Sequence, residues 1–252
     1  MVARNGRDRS VYSVTRFLHT PRRRLLTVLA AGLTIGAGKA RAQTPTAGPL
    51  LDALSITVQR DSATVARGSI RLRQFRTGTD VELVASGIVV RRGMRITAEL
   101  RTDSVYAFRR YQAESRDSSG VVVDRITVLS IGGRITYERV TRTRRMAREF
   151  GAQRDLMIID TAAVVPFVML AGAALRSTPL AVLDVRTAAL AAFVADPAAP
   201  ITVSIAEVVV SGTPVSLRAS REALTWWRDA RGRLLGAIWG PRSRVLRDDP
   251  PP

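Results

Sequence analysis

The side chains that most often carry enzyme chemistry are almost missing from this sequence. It has no cysteine, and its one histidine, His19, lies within the first 42 residues. Beyond residue 42, this excludes thiol nucleophiles, Ser-His-Asp triads and metal sites built from histidine or thiolate. The carboxylates are scattered, mostly at turns, and no pair is spaced as a glycosidase requires. The sequence therefore predicts a protein that is not an enzyme and that holds neither cofactor nor metal.

Trp226 and Trp227 are the most distinctive neighbouring pair in the chain. On a strand, consecutive side chains point to opposite faces, so one indole should face the interior and the other should face outward. One interpretation makes them ligand-lining or membrane-interface aromatics. The other makes one a core residue and the other a cover for the sheet edge. Trp239, on a neighbouring strand candidate, could stack near one of them.

An apolar segment over residues 161–175 supplies the second group of candidates. Asp160 or Thr161 is predicted as the cap of a helix there, although Pro166 better fits a first helical turn. The segment is too short and too interrupted to span a bilayer, so burial is favoured. Its side chains either line a hydrophobic cavity or fill the core. The candidate ligand-lining residues are Val164, Phe167, Val168, Met169, Trp226 and Trp227.

The net charge of +18 raises the question of an anionic partner. Residues 1–42 account for +8 of it, through eight arginines, Lys39 and Asp8. The densest run of arginines beyond residue 42 has two interpretations. It either attracts an anionic membrane surface or an acidic partner, or it forms a solvated strand edge. Without interleaved aromatics it does not indicate nucleic-acid binding. The run consists of Arg139, Arg142, Arg144, Arg145 and Arg148.

Residues 1–42 are predicted to be a signal peptide. Three arginines at 22–24 precede an apolar run over 25–35, and cleavage is expected between Ala42 and Gln43. The arginines followed by two leucines favour the twin-arginine route. An ordinary secretory signal and a retained N-terminal anchor are the alternatives. We therefore expect an exported, periplasmic protein.

The remaining chain is predicted to be a single, mainly β domain over residues 54–247. A flexible lead-in over 43–53 precedes it, and a polar tail over 248–252 follows. Short turns rich in glycine and aspartate separate the strands, which predicts an antiparallel meander. A helical insert is expected at about 160–196. Strand candidates are 54–60, 64–75, 81–90, 95–101, 105–116, 121–130, 134–145, 201–210, 215–219, 224–228, 234–239 and 244–247.

This layout resembles the periplasmic lipoprotein-carrier superfamily, the LolA/LolB-like half-barrels. The segments Trp226–Leu235 and Val245–Asp249 are similar to the closing hairpin of its uncharacterised exported relatives. The turn around Tyr106–Tyr111 and Gly120 is similar to their middle hairpin. The resemblance implies a strongly curved antiparallel sheet of about eleven strands around an apolar helical plug. It also implies binding of an acyl chain, a lipoprotein or another amphiphile.

We therefore expect an exported protein that binds a lipid, lipoprotein or other hydrophobic ligand between sheet and helices. The alternative is an envelope structural or protein-interaction module with a solid core. An integral outer-membrane barrel fits poorly, because arginines occupy both faces of the strand candidates. The sequence leaves the ligand and the oligomeric state open.

Overall fold

A computed structural model describes residues 46–153, 155–173, 179–218 and 223–251. The predicted signal peptide and its cleavage site at Ala42 and Gln43 lie outside these residues. Within them, no helix is both long and apolar enough to cross a membrane.

The described chain is mainly β, with sixteen strands and one short helix. The elements are β1 (Thr46–Arg60), β2 (Ala63–Thr77), β3 (Asp80–Arg91), β4 (Met94–Asp103), β5 (Phe108–Arg116), β6 (Val122–Ile131), β7 (Arg134–Thr141), β8 (Arg145–Gly151), β9 (Leu156–Ile159), α1 (Pro166–Gly172), β10 (Leu180–Asp184), β11 (Ala189–Pro197), β12 (Ile201–Ile205), β13 (Val208–Arg218), β14 (Ala223–Arg228), β15 (Leu234–Trp239) and β16 (Ser243–Arg247).

The strands form one large, curved and unclosed sheet. Strands β8 to β1 follow one another in reverse chain order, and β1 then pairs with β16, which leads through β15, β14, β13, β11 and β10 to β9. Among the described strands, β12 pairs only with β13. The predicted antiparallel meander is confirmed, but the expected count of about eleven strands is wrong.

Alternation along the strands separates an apolar inner face from a polar outer face. In β4, Ile96, Ala98 and Leu100 are buried, while Arg95 and Thr97 point the other way. Period-two patterning of this kind fixes which face each strand turns to the core. The arginines of the meander therefore lie mainly on the solvated face, where they limit edge pairing and aggregation.

The helical insert expected at 160–196 is wrong for most of its length. The Ala-rich stretch forms the antiparallel pair β10 and β11, and among the described residues of the segment only those of α1 are helical. Strands β9 and β10, which lie on either side of α1 in the chain, pair in parallel, although the sheet was expected to be wholly antiparallel. Strand pairing overrides helix propensity here: β10 is mostly buried, and the largely exposed β11 pairs with both β10 and β13.

Pro166 begins α1, as its position in the apolar segment predicted. The prediction that Asp160 or Thr161 caps this helix is wrong, because Val165 occupies the cap position. Asp160 instead caps the preceding turn: its Oδ1 accepts the backbone N–H groups of Ala162 and Ala163 at 2.8 and 3.1 Å.

Both ends of the described chain are more ordered than the sequence indicated. Residues 46–53, predicted as part of a flexible lead-in, belong to β1 and pair with β2. Asp248 and Asp249, predicted as part of a polar tail, form hydrogen bonds with β1. The Asp248 N–H donates to Ser55 O at 2.9 Å, and the Ser55 N–H donates to Asp249 Oδ1 at 2.6 Å.

Two turns lie elsewhere than predicted. The turn expected at 211–214 is part of β13, and the chain reverses instead at Ala206 and Glu207, both with positive φ. The single strand expected over 134–145 is divided into β7 and β8. Neither turn contains the glycine that identifies most of the others, so neither carries the usual local signal in the sequence.

Candidate functional site

The predicted ligand-lining residues in and just before α1 lie in a filled core. Val164 and Phe167 are fully buried, and Val168 and Met169 nearly so. Phe167 contacts Trp239, with ring centroids 5.5 Å apart. The gap between α1 and the sheet holds only about 20 Å³, lined in part by Met169. A space of that size holds one water molecule and no acyl chain.

The tryptophan pair divides between the two faces, as alternation predicted. Trp226 is fully buried in the core, and within the described residues its Nε1 has no hydrogen-bond partner. Trp227 points to the opposite face, where it lies over Gly236 and beside Gly212. Whether either indole contacts a ligand stays a prediction.

An apolar concavity lies beyond the end of α1. It has a volume of about 390 Å³, and we call it the end cleft. Its walls come from the loop after β4, the start of β9, the end of α1 and the start of β10. The lining residues are Ser104, Val105, Tyr106, Ala107, Asp155, Leu156, Met157, Gly172, Ala173 and Leu180.

Tyr106 separates the end cleft from the inner gap and lines both. A Cβ built on Gly172 would lie 2.4 Å from Tyr106 Oη, so the phenol rests directly on the glycine. Burial raises the pKa of this phenol, which is therefore neutral across the physiological range. Tyr106, Leu156 and Met157 together make an apolar wall with one hydroxyl.

Asp103 fixes the loop that carries Tyr106. Its Oδ1 accepts the N–H groups of Val105 at 2.9 Å and Ala107 at 2.8 Å. The Asp103 N–H donates to Ala107 O at 3.0 Å, and the Tyr106 N–H donates to Asp103 O at 3.1 Å. Such local bonds from a short carboxylate hold a tight turn in one conformation.

The same loop is built three times in this chain. Asp117–Val121 and Asp229–Arg233 repeat every one of these hydrogen bonds. In both, the fourth residue is a glycine with positive φ, Gly120 at 82° and Gly232 at 75°. The first loop places Tyr106 there instead, at φ 65°. A non-glycine residue in the left-handed region costs about 1–2 kcal/mol, and such strain concentrates at functional sites.

The third of these loops meets the first at Gly172. A Cβ on Gly232 would lie 3.2 Å from Gly172 Cα, so the glycine is enclosed from two sides. Arg228 also donates to the carbonyls of Ala171 and Ala173 at 3.3 and 3.1 Å. These contacts fix the end of α1 as one wall of the cleft.

Gly172→Ala should reveal how tightly Tyr106 is held. Helix propensity alone predicts a gain of about 1 kcal/mol in stability. We expect a loss instead, since the new methyl group displaces the phenol toward the cleft. In a Tyr106→Gly background the same substitution should be neutral or stabilising. Urea denaturation of the four chains measures this, and equal effects in both backgrounds would show that Tyr106 does not rest on Gly172.

We call β9, β10 and β11 the inner strands. A buried polar cluster at the ends of β9 and β10 holds them against the meander, and we call it the Asp160 cluster. Asp160 is fully buried. Its carboxylate accepts hydrogen bonds from Arg186 Nε at 2.8 Å, from Arg186 Nη2 at 2.7 Å and from the Tyr111 hydroxyl. Arg186 Nη1 also donates to Asp124, which in turn accepts two bonds from Arg139.

Electrostatics in the Asp160 cluster favour charged carboxylates and a neutral phenol. Burial acts to raise the pKa of Asp160, but the Arg186 charge and hydrogen bonds from Arg186 and Tyr111 hold it below its ordinary value. Burial, followed by the charge of Asp160, raises the pKa of Tyr111 well above normal. Because each charged side chain of the cluster is paired with one of opposite charge, we assign the cluster a structural role.

The arginines of the 139–148 run are mostly engaged within the protein. Arg139 bonds Asp124 and Arg186 O, and Arg148 donates to Ala188 O at 2.9 Å. Arg142 pairs with Asp117, and Arg145 pairs with Glu138. Attraction to an anionic membrane or acidic partner, one of the two interpretations of this run, therefore depends chiefly on Arg144.

A wider polar depression of about 920 Å³ crosses the outer face of β2 to β7. The three glutamates in its lining are already paired: Glu99 with Arg101, Glu114 with Arg116 and Arg125, and Glu138 with Arg145. The described lining residues include no aromatic side chain. This surface therefore has fewer free groups for a ligand than the end cleft.

Across the described residues, no group of three or more acidic side chains is arranged to hold a metal ion.

Comparisons with known proteins add little to this geometry. No family model matches the chain, and no curated protein matches it. The chain is similar to one solved structure, a beta-barrel-like protein of domain of unknown function DUF1849 from Brucella abortus. The match has a TM-score of 0.44 at 8% identity and covers 77% of this chain and 93% of that one.

Sequence reasoning missed the end cleft. It placed the candidates on α1, and it assigned residues 105–107 to a strand that in fact begins at Phe108. A signal was present, because Asp117 and Asp229 are each followed three residues later by glycine, whereas Asp103 is followed by Tyr106. A bulky residue at a glycine position of a repeated loop marks a backbone that is constrained for another reason.

Proposed function

We propose that this protein is exported and, without catalysing a reaction, binds a small hydrophobic ligand of the acyl-chain class in the end cleft. The observation that carries the proposal is a cleft of about 390 Å³ with a largely apolar wall. Small-molecule sites commonly range from about 300 to 1,000 Å³ and combine apolar walls with a few polar groups. Here the polar groups are Ser104, Asp155 and the Tyr106 hydroxyl.

The proposal moves the ligand from the space between sheet and helix to the end of the helix. Leu156, Met157 and Leu180 then receive the apolar part of the ligand, and the Ser104 and Tyr106 hydroxyls can hydrogen-bond its polar end. The strained backbone of Tyr106 supports this location, because it holds a large side chain at the inner limit of the cleft.

The second candidate is an envelope interaction module with no ligand. The filled core favours it, since the gap beside α1 holds only about 20 Å³. The two candidates differ in one measurable property, which is uptake of an apolar probe at the end cleft.

Ala107→Phe should block the cleft. The Ala107 side chain lines the cleft while its backbone is held by Asp103, so a phenyl group there occupies ligand space without breaking the loop. We expect titration with a fluorescent fatty acid to show an affinity at least tenfold weaker. A tenfold change corresponds to about 1.4 kcal/mol of binding free energy, roughly what the burial of two methylene groups contributes.

Val121→Phe is the matched control, because Val121 holds the same place in the Asp117 loop and lies outside the cleft. It should bind the probe as the unchanged chain does. Equal losses in both variants, or no uptake by the unchanged chain, would reject the cleft and leave the interaction module.

A further inference from the structure

The meander places four of its hairpin turns side by side at one end of its strands, and arginines are concentrated there. These turns join β1 to β2, β3 to β4, β5 to β6 and β7 to β8, and we call this side the basic edge. The arginines in or beside the turns are Arg60, Arg67, Arg91, Arg92, Arg95, Arg116, Arg142, Arg144 and Arg145.

Several of these charges are not used inside the protein. In the described chain, Arg91, Arg92 and Arg95 make no ion pair, whereas Arg116, Arg142 and Arg145 do. The acids of this edge are already neutralised: Asp61 by Arg242, and Asp117 by Arg142. A net positive field therefore surrounds the β3–β4 turn.

Exposed apolar side chains lie among the free arginines. Val90 is 54% exposed and stands between Arg67 and Arg95 in the strand register. Met94, at the end of the turn, is 37% exposed. The turn also abuts the next hairpin, because a Cβ on Gly93 would lie 4.0 Å from Ser118 Cβ.

The opposite edge differs in charge. Its turns over 77–80, 103–108 and 131–134 bring Asp80 and Asp103 together with Arg76, Arg109 and Arg134, and the last two arginines are paired with glutamates. The protein thus has one basic edge and one edge of mixed charge.

We propose that the basic edge docks on an anionic phospholipid bilayer, with Val90 and Met94 entering the interface. Arginines beside exposed aliphatic side chains match anionic head groups above an apolar layer, and each such charge contributes about 1 kcal/mol near the surface. A soluble acidic protein would match the charges but would leave the aliphatic side chains without a partner. This proposal does not depend on a ligand in the end cleft.

Vesicle co-sedimentation of the full chain tests the proposal. Phosphatidylcholine vesicles with about one third phosphatidylglycerol are compared with pure phosphatidylcholine, at about 0.1 M and about 1 M salt, where the Debye length falls from about 10 to about 3 Å. Arg92→Glu with Arg95→Glu should weaken binding to the anionic vesicles at least about 25-fold, from about 1 kcal/mol for each charge.

The matched control reverses two exposed arginines on other turns, Arg76→Glu with Arg231→Glu, for the same change in net charge. It should stay within about threefold of the unchanged chain, since both sites lie away from the basic edge. Arg92→Asn is a gentler variant, because asparagine suits the left-handed φ of 40° at this position. It should fold normally and bind about fivefold more weakly.

Equal losses in the two double variants would overturn the docking site, as would unchanged binding of the Arg92 and Arg95 variant. Binding to polyglutamate without binding to anionic vesicles would also overturn it, in favour of an acidic protein partner.

Discussion

Asp160→Asn should lower the free energy of unfolding by about 3–5 kcal/mol, because it leaves the Arg186 guanidinium without its bidentate partner. The neutral amide would also lose the charge-assisted bonds that the carboxylate accepts from the Tyr111 hydroxyl and from the turn after β9. The measurement is urea denaturation followed by tryptophan fluorescence, to which the buried Trp226 contributes.

Glu138→Gln is the control for this experiment. Glu138 pairs with Arg145 on the surface, where that arginine side chain is 76% exposed. An exposed pair of this kind contributes less than about 1 kcal/mol. A loss for Asp160→Asn no larger than that of the control would show that the cluster does not hold the inner strands.

The same variant has a predictable pH dependence. The pKa of Asp160 is lowered in the folded protein, so its stabilisation is present above the unfolded carboxyl value of about 3.9 and is lost as pH falls through the folded value. The stability difference between the two chains should therefore narrow between about pH 5 and about pH 2. A constant difference over that range would contradict an ionised Asp160.

Arg247→Met should be similarly destabilising, again by about 3–5 kcal/mol. Arg247 and Asp52 have side chains 0% and 1% exposed, with both guanidinium–carboxylate distances at 3.0 Å. They join the last strand to the first, and Arg247 also donates to Ala53 O. Removing the arginine leaves a buried carboxylate with no counter-charge.

Two further variants isolate the effect of this pair. Arg244→Met, on the exposed face of the same strand, should change stability by no more than about 0.5 kcal/mol. Asp52→Asn combined with Arg247→Met should recover part of the loss, since no unpaired charge then remains buried. A double variant less stable than Arg247→Met alone would contradict this account.

Most of the meander was predictable because local turn residues bound most of its strands, the turn between β7 and β8 being the exception. Asp61, Gly78, Gly93, Gly120 and Gly133 identify its turns in the sequence, and alternation identifies its faces. Strand pairs formed by such turns depend on residues close in the chain.

The inner strands were not predictable for the opposite reason. Residues 181–196 are rich in alanine and suggest a helix, and pairing with strands distant in the chain makes them β10 and β11. Asp160 has no sequence feature that identifies Arg186 as its partner. Long-range pairing of this kind depends on the curved geometry of the sheet and not on local propensity.

The candidate site shows the same division. The sequence identified a large apolar element near the ligand region, but it could not distinguish a filled core from a lined cavity, since both use the same residues. The end cleft is made by loop ends that meet only in the fold, with Tyr106 against Gly172 as its inner limit.

The central claim is that an apolar ligand occupies the end cleft, and photo-crosslinking with a diazirine-bearing fatty acid tests it most directly. Crosslinked peptides located by mass spectrometry should cluster in residues 104–107 and 155–157, and an excess of unlabelled fatty acid should suppress them. Crosslinks centred on Phe167 and Trp226, or scattered labelling that unlabelled fatty acid does not reduce, would contradict the claim.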